Sequence, residues 1–376
     1  MRIYLDNAAT TRVTEPVFEA MKPYFCDSYG NPASEHGYGR EARRALDTAR
    51  ARVARALGAQ AGEVYFTSGG TESDNWALRG VGEGHVIVSA IEHHAVLHTC
   101  AALEAAGVEV TYLPVDHEGR VSPDGLKAAL RPDTSLVSVM LANNEVGTLQ
   151  PVAELAAIAH GAGALFHTDA VQAVGMVPVD VKALGVDLLS LSGHKLHGPK
   201  GVGALYVRRG VRLNRLMEGR AQERGLRPGT ENLPSIVGLG RAVELATADV
   251  PARAAKMAAL RDHLIERLLT ENPGAALNGH PEKRVCGNVN VRFDGADARM
   301  LLMRLDMMGI AASAGSACTS GATEPSHVLT AMGLSAARAL SSLRLSLSDE
   351  TTLSEVDAAA DALRAVLADT RPRRDA

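Results

Sequence analysis

Short apolar runs alternate with alanine-rich segments along residues 60–210. The alanine-rich segments at 95–106 and 152–162 repeat their apolar residues at helical spacing, whereas the apolar runs have the length and composition of strands. Strands that alternate with helices form largely parallel sheets that are covered on both faces. The pattern therefore predicts an α/β fold. The predicted strands are Val64–Thr67, His85–Ser89, Val108–Tyr112, Ser135–Met140, Ala164–Thr168, 186–191 and Gly203–Val207.

The pattern changes after about residue 252, where helical segments alternate with strands that have one apolar face. Thr352 and Glu355 have the spacing of a capping box, which predicts that a last helix begins there. This order predicts a smaller α+β domain. Its predicted elements before the last helix are helices at 252–270 and 296–307 and strands at 289–293 and 343–347.

The composition is that of a globular protein without a nucleic-acid or membrane signature. Of 376 residues, 46% are hydrophobic and 22% are charged, and the formal net charge is -4, so no basic surplus points to nucleic acid. The sequence contains neither a run of about 18 apolar residues nor the apolar core of a signal peptide at its start. The four cysteines are scattered and lack zinc spacing. We therefore expect a cytoplasmic protein that binds neither membrane nor nucleic acid.

Lys195 follows an apolar run and lies in Ser192-Gly193-His194-Lys195. In open α/β sheets, ligands bind at the carboxyl ends of the strands. A lysine at this position can neutralise a phosphate, or it can form a Schiff base with an aldehyde cofactor. A solvated loop lysine is the alternative, and the residues at the other strand ends decide between them.

Three further strand ends carry polar residues. Thr67–Ser73 is a glycine-rich turn that opens a helix, where free N–H groups and the helix dipole favour an anion and Thr71 can cap the helix. Asp169 and Gln172 lie three residues apart and can face one ligand, and a buried carboxylate there needs a positive partner such as a protonated pyridine nitrogen. Asn143–Gly147 is again polar and ends in glycine. Ordinary helix capping is the alternative for the first two segments.

His93 follows another predicted strand, within Glu92-His93-His94. A histidine there can stack on a planar ring or move protons at neutral pH. Paired histidines can also bind a metal, but no third histidine or carboxylate at metal-binding spacing accompanies this pair, so we expect no metal site.

Taken together, these segments resemble the class V aminotransferase group of pyridoxal-phosphate enzymes, and specifically the cysteine desulfurases of the NifS/IscS type. The resemblance covers nearly the whole chain. The blocks that carry it are Tyr4–Thr11, Gly30–Ser34, Ser68–Ser73, Glu92–Val96, Asn143–Gly147, Asp169–Gln172, Ser192–Lys195, Arg227–Asn232, Gly315–Ser320 and Ser342–Arg344.

The resemblance implies a pyridoxal-phosphate-dependent transferase fold of type I. A large domain, residues 15–252, would contain a mostly parallel seven-stranded sheet covered by helices. A small α+β domain, residues 1–14 and 253–376, would carry the active-site cysteine loop. The implied protein is a homodimer that converts L-cysteine to L-alanine and passes the sulfur to an acceptor, such as an iron–sulfur scaffold or a thiolation enzyme.

The resemblance also implies a role for the candidate residues. Lys195 would bind the cofactor as a Schiff base and move the α-proton of the substrate. Asp169 would pair with the pyridine nitrogen, which keeps the ring an electron sink. His93 would stack on the ring and act as a catalytic proton shuttle, and Arg344 would bind the substrate carboxylate through its planar fork.

The remaining implied residues orient the cofactor. Gln172 and Asn144 would lie near the phenolic oxygen of the ring, and Asn144 would also lie near the substrate. The phosphate would be held by Gly70, Thr71, Ser192 and His194, with Thr230 contributed by the partner subunit.

Cys318 distinguishes a desulfurase from its relatives. It lies in a run of small residues from Ala312 to Gly321, which predicts a mobile loop suited to a nucleophile that takes up sulfur as a persulfide. The sequence Gly-Ser-Ala-Cys-Thr-Ser and the length of the loop resemble the NifS/IscS group. The SufS-like group has a shorter loop. Cys26, Cys100 and Cys286 are interpreted as structural.

The chain departs from the family pattern at Gly219-Arg220-Ala221, where three glycines are usual. A side chain at 220 restricts the backbone, which puts the local geometry of the loop leading to Thr230 in question. Two other functions remain open at this point: a selenocysteine lyase-like enzyme, and a non-catalytic sulfur-carrier or scaffold protein on the same fold. The intact Lys195, Asp169, His93 and Arg344 argue against the second.

Overall fold

The computed structural model describes residues 2–314 and 324–370, and a seven-stranded sheet forms the centre of its larger part. The strands are β1 (Ile3–Tyr4), β2 (Val64–Thr67), β3 (His85–Ser89), β4 (Val110–Leu113), β5 (Thr134–Ser138), β6 (Leu165–Asp169), β7 (Leu188–Ser192), β8 (Gly203–Val207), β9 (Ala275–Leu277), β10 (Asn288–Phe293), β11 (Ile310–Ala311) and β12 (Ser342–Ser346). The helices are α1 (Glu15–Met21), α2 (Pro23–Cys26), α3 (Gly37–Ala56), α4 (Gly70–Gly80), α5 (His94–Ala105), α6 (Pro123–Ala129), α7 (Val152–Gly161), α8 (Val181–Leu184), α9 (Leu233–Thr247), α10 (Val250–Glu271), α11 (Ala298–Met307), α12 (His327–Ala331), α13 (Ala336–Ala339) and α14 (Leu353–Thr370).

The large sheet has the strand order β2-β8-β7-β6-β5-β3-β4. All its pairings are parallel except those of β8, which runs antiparallel to both of its neighbours. Helices cover both faces because successive residues of a buried strand point to opposite sides. In β3, for example, Ile87 packs into one hydrophobic cluster, whereas Val86 and Val88 pack into another. The predicted α/β fold with a mostly parallel sheet is confirmed.

A separate hydrophobic cluster lies outside the large sheet. It joins the three-stranded antiparallel sheet β12-β10-β9 to one face each of α10, α11 and α14. Ile3 and Leu5 belong to the same cluster because β1 pairs with β11. We therefore propose the boundaries expected from the sequence, with residues 1–14 and 253–376 as the small domain. Helix α10 crosses this boundary within its first turn.

Gly69 and Gly203 lie where two backbone segments of the large domain come into direct contact. Gly69 has a φ of 156°, which a residue with a side chain rarely adopts. A Cβ on Gly203, in β8, would lie 2.7 Å from the Cα of Gly69. The two glycines therefore let the turn after β2 lie directly against β8, and this fixes where α4 begins.

No helix of the described residues has the length and hydropathy that a membrane span would need.

Candidate functional site

A cavity of about 620 Å³ lies at the carboxyl ends of the parallel strands, within the size range of small-molecule sites. Its walls come from the segments after β2, β3, β5, β6 and β7, and from α11, β12 and the stretch after β11 in the small domain. Ten of the sequence-predicted site residues line it together: Gly70, Thr71, His93, Asn144, Asp169, Gln172, Ser192, His194, Lys195 and Arg344.

Lys195 ends a short 3₁₀ turn directly after β7 and points into the cavity. Its Nζ donates to the carbonyl oxygens of Ala8 and Ala9, at 2.6 and 2.7 Å. Burial disfavours the ammonium form and Arg344 adds repulsion, so the pKa of Lys195 falls to about 8. Carbonyl oxygens only accept hydrogen bonds. The amine is therefore oriented by the N-terminal segment and holds its proton more weakly than a surface lysine does.

Asp169 is the last residue of β6 and is buried at the base of the cavity. Its Oδ1 accepts a hydrogen bond from the N–H of Val171 at 2.8 Å. Burial raises its pKa to about 6, although Lys195 favours the ionised form. A cationic ring nitrogen at this position would supply the positive partner that a buried carboxylate requires.

Helix α4 presents its N-terminus to the cavity through Gly70 and Thr71. Gly69 caps the helix without a side-chain hydrogen bond, so the expectation that Thr71 caps it was wrong, because the helix begins one residue before Thr71. Thr71 instead lies in the first turn, with its backbone N–H among those that have no partner within the helix. Backbone donors at such a terminus suit an anion.

His93 caps α5, and its Nδ1 accepts from the N–H of Ala95 at 3.1 Å. The proton of the neutral ring is therefore on Nε2. The ring faces the cavity but is surrounded by protein, and desolvation together with Lys195 lowers the pKa of His93 to about 4. At neutral pH the ring is uncharged, which suits stacking on another planar ring.

Arg344 lies in β12 and brings the small domain into the site. One guanidinium nitrogen, Nη1, donates to the carbonyl of Asn144 at 2.9 Å, and Nη2 donates to Oδ1 of Asp6 at 2.9 Å. Its Nε is buried and has no hydrogen-bond partner among the described residues. The guanidinium is thus held in place while part of its donor fork stays available.

The other cavity residues are held by the N-terminal segment or the sheet. Nε2 of Gln172 donates to the carbonyl of Ala8 at 2.9 Å, and Nδ1 of His194 contacts Oγ1 of Thr10 at 3.1 Å. Desolvation first, and then Lys195, lowers the pKa of His194 to about 4. Ser192 is buried at the end of β7.

Two predicted site residues are not brought into the cavity of the described chain. Thr230 is exposed and does not line it within residues 2–314 and 324–370. Cys318 lies outside the described residues. Of the other cysteines, Cys100 and Cys286 are buried, as expected of structural residues, but Cys26 at the end of α2 is exposed and is not a packing residue.

The segment that departs from the family pattern leads into a strained turn. Neither Arg220 nor Ala221 has a positive φ, so neither position needs glycine, whereas a Cβ on Gly219 would lie 2.5 Å from Cβ of Pro228. After Gln222, Glu223 and Arg224 do have positive φ values of 45° and 58°.

Glu223 ties this turn to the large domain. Its carboxylate accepts two hydrogen bonds from Arg50, at 2.7 and 2.6 Å, and one from the N–H of Phe66 at 3.0 Å. The side chains are only 8% and 2% exposed. The strain at Glu223 is therefore offset by a buried, bidentate ion pair.

Removing Glu223 from this pair is expected to destabilise the fold. Glu223→Ala leaves the Arg50 charge buried without its partner, which costs about 3–5 kcal/mol in the free energy of unfolding. Glu218→Ala is the matched control, since Glu218 is 87% exposed and pairs with Arg215 at 3.6 Å. Urea unfolding should show at most about 0.5 kcal/mol for the control. Equal losses in both variants would contradict the role of the buried pair.

The sequence analysis missed several residues that line the cavity. Asp74 is buried on α4, and its Oδ1 lacks a hydrogen-bond partner in the described part of the chain. Burial and the neighbouring Asp169 raise the pKa of Asp74 well above its usual range. Helical spacing was the available signal, because Asp74 lies one turn beyond Gly70. The other missed residues with polar side chains are Asp6, His94, Glu145, Ser313 and His327.

Three histidine rings, tilted relative to one another, lie close together beside the cavity, and two of them, His94 and His327, line it. The ring centroids of His94 and His327 are 4.7 Å apart, and those of His94 and His98 are 4.9 Å apart. Nε2 of His327 lies 3.0 Å from the carbonyl of Glu92, so Nε2 carries the proton of the neutral ring. Burial lowers the pKa of both His94 and His327. Within residues 2–314 and 324–370, no three His, Cys, Asp or Glu side chains are arranged to hold a metal ion.

Known proteins with similar sequences and structures match nearly the whole chain. The family model for aminotransferase class-V matches residues 3–359. The "Cysteine desulfurase IscS" of Methanosarcina thermophila is 55% identical over 361 residues, which covers 94% of this chain and 89% of the relative. A solved NifS-like protein superposes with a TM-score of 0.92 at 40% identity, covering 98% of this chain and all (100%) of the other.

A second solved structure, SspA in complex with cysteine, has a TM-score of 0.82 and 38% identity, with 94% and 100% of the two chains covered. Enzymes of the matched family depend on pyridoxal phosphate. A match that spans almost the whole chain at such identity shows common descent and not only a shared fold. The chain belongs to the class-V aminotransferase family and, within it, to the cysteine desulfurases.

Proposed function

We propose that this protein is a pyridoxal-phosphate-dependent cysteine desulfurase that converts L-cysteine to L-alanine and takes up the sulfur on Cys318. The observation that carries the proposal is the convergence of Lys195, Asp169 and Arg344 in one cavity. The lysine, which holds its proton weakly, can react with an aldehyde. The buried carboxylate can pair with a protonated ring nitrogen, and the guanidinium can bind a carboxylate.

The residues present fit pyridoxal phosphate. Asp169 is a buried carboxylate without a cationic side chain bonded to it among the described residues, so a protonated ring nitrogen would complete its environment. Gly70 and Thr71 at the N-terminus of α4, with Ser192 and His194, would hold the phosphate. His93 would lie against the ring, and Gln172 and Asn144 would lie near its phenolic oxygen. Lys195 would be the covalent anchor.

When bound, the cofactor supplies an electron sink for the α-carbon of the amino acid. Lys195 is suited to move a proton at that carbon, because a pKa of about 8 lets the amine both lose and regain its proton near neutral pH. Arg344 would hold the substrate carboxylate and thereby orient the α-carbon toward Nζ of Lys195. His93, with its proton on Nε2 and its ring neutral, would be a hydrogen-bond donor in the cavity.

Cys318 would accept the sulfur. Its thiolate forms an S–S bond as the C–S bond of the substrate breaks, and the electron pair of that bond, with a proton, stays on the carbon that becomes the methyl group of alanine. Thr230 of each subunit would contact the phosphate of the other subunit, so we propose a homodimer. We further propose a cytoplasmic protein that delivers sulfur to an iron–sulfur scaffold or a thiolation enzyme.

A stoichiometric assay tests this function. Protein loaded with pyridoxal phosphate should form equimolar alanine and sulfide from L-cysteine in the presence of excess dithiothreitol. Turnover of L-selenocysteine with negligible turnover of L-cysteine would favour the selenocysteine lyase-like alternative. A protein that gains no visible absorption band from the cofactor and forms no alanine would instead be the non-catalytic carrier, and the proposal would be wrong.

A further inference from the structure

Asp6 lies in the cavity close to the two cationic side chains there, those of Lys195 and Arg344. It follows β1, lines the cavity and accepts from Nη2 of Arg344 at 2.9 Å. The Arg344 side chain is 4% exposed and that of Asp6 is 23% exposed, so the pair lies largely out of bulk water. Asp6 is also close enough to Lys195 to favour its charged form. The expected carboxylate-binding group is thus already paired with a carboxylate of the protein.

The hydrogen bonds of Arg344 show which of its N–H donors a substrate carboxylate could use. A guanidinium has five N–H donors in one plane. One donor of Nη1 is used by Asn144 and one of Nη2 by Asp6, while Nε has no partner among the residues that the structure describes. A carboxylate binds such a fork through two neighbouring nitrogens. Because both the Nε/Nη2 side and the Nη1/Nη2 side include Nη2, the incoming carboxylate would lie beside Asp6 or displace it.

The cavity also contains other acidic side chains. Asp169 lines it and, with Asp6, faces the cationic Lys195 and Arg344, whereas burial raises the pKa of Asp74 and of Glu145 and favours their neutral forms. Like charges that share a partly buried site repel each other more strongly than they do in water. A small amino acid with a second carboxylate would add another negative charge to this group, whereas an amino acid with a neutral side chain would not.

We propose that Asp6 is a specificity-determining residue that competes with the substrate carboxylate for Arg344 and restricts the site to amino acids with a single carboxylate. The inference rests on the proposed function, because it assigns Arg344 to the substrate. Its consequence is twofold: monocarboxylic amino acids bind less tightly than the buried guanidinium alone would allow, and dicarboxylic amino acids are disfavoured further.

Equilibrium binding to the cofactor-loaded protein tests this role without turnover. The ligands are L-alanine, which has a neutral side chain, and L-aspartate, and binding is followed by the change in the visible absorption band. In Asp6→Asn, the dissociation constant of L-alanine should fall by about 2- to 5-fold, the size expected for a partly exposed ion pair. The dissociation constant of L-aspartate should fall by more, so that the aspartate-to-alanine ratio drops by at least about 3-fold.

Glu350→Gln is the matched control. It removes the same charge from another carboxylate of this region, which pairs with Arg12 at 2.6 Å and does not line the cavity among the described residues. Both dissociation constants should stay at the wild-type values. An unchanged aspartate-to-alanine ratio in Asp6→Asn, or weaker binding of both ligands, would overturn the inference.

Asp6→Ser provides the same comparison if Asp6→Asn does not fold, because serine keeps a hydrogen-bond acceptor for Arg344 without the charge. Wild-type protein that shows no visible band and no response to L-alanine would refute the proposed function itself. Wild-type binding with an unaltered ratio in both Asp6 variants would refute only the role of Asp6.

Discussion

Lys195→Ala is expected to abolish the visible absorption band that pyridoxal phosphate gives with the wild-type protein, and to lower alanine formation from L-cysteine by at least about 10²–10⁴-fold. The variant loses both the amine that would anchor the cofactor and the group that would move the α-proton. The fold should persist, because Nζ bonds only the carbonyls of Ala8 and Ala9, which can accept from water instead. Absorption spectra and an alanine assay on the same preparation check the result.

Lys200→Ala is the matched control for this experiment. Lys200 is an exposed lysine five residues along the chain and does not line the cavity of the described residues. It should keep both the band and the rate. A wild-type spectrum in Lys195→Ala would mean that another amine anchors the cofactor, and the assignment of Lys195 would be withdrawn.

Cys318→Ala is expected to keep the visible band but to lose at least about 100-fold in sulfide release, because the remaining thiols cannot replace the nucleophile. Cys100 is buried, and desolvation raises the pKa of its thiol to about 12. Burial also raises the pKa of Cys286, whose Sγ lies 3.5 Å from the carbonyl of Met176. A protein-bound persulfide, detected by mass spectrometry after one turnover, should be present in the wild type and absent in the variant.

Cys26→Ala controls for adventitious thiol chemistry. Cys26 is exposed, so it is the described cysteine most open to alkylation and to accidental sulfur transfer. The variant should retain the sulfide rate and the persulfide at residue 318. Sulfide release that is undiminished in Cys318→Ala and lost in Cys26→Ala would move the nucleophile to Cys26.

Hydrophobic periodicity predicted the large sheet well because its strands are short, buried and separated by helices. The main errors were shifts of one or two residues at the ends. The strand expected at 108–112 is Val110–Leu113, and the one expected at 135–140 is Thr134–Ser138. Thr352 and Glu355 do form the predicted capping box, with Thr352 N–H donating to Glu355 at 2.8 Å. The two-residue strands β1 and β11 were not predicted, since so short a pairing depends on tertiary contact.

Several of the cavity residues found from sequence end a strand or follow one closely, such as Asp169 and Lys195, because parallel strands bring their carboxyl ends to one edge. Asp74 and His327 were missed although both are on helices that line the cavity; helical spacing from Gly70 was a signal for Asp74, whereas only the folded backbone shows that His327 faces the cavity. Asp6 was included in a resemblance block but received no role, because its contact with Arg344 joins residues 338 positions apart.

That long separation determines when the site can exist during synthesis. Lys195 is oriented by Ala8 and Ala9, and Arg344 in β12 pairs with Asp6, so the site joins residues that are made more than 300 positions apart. A nascent chain emerging from the ribosome can assemble the large sheet as soon as β8 is released, yet it still lacks the guanidinium. We expect chains arrested before residue 342 to bind no amino acid, so that the enzyme becomes competent only after Arg344 has been added.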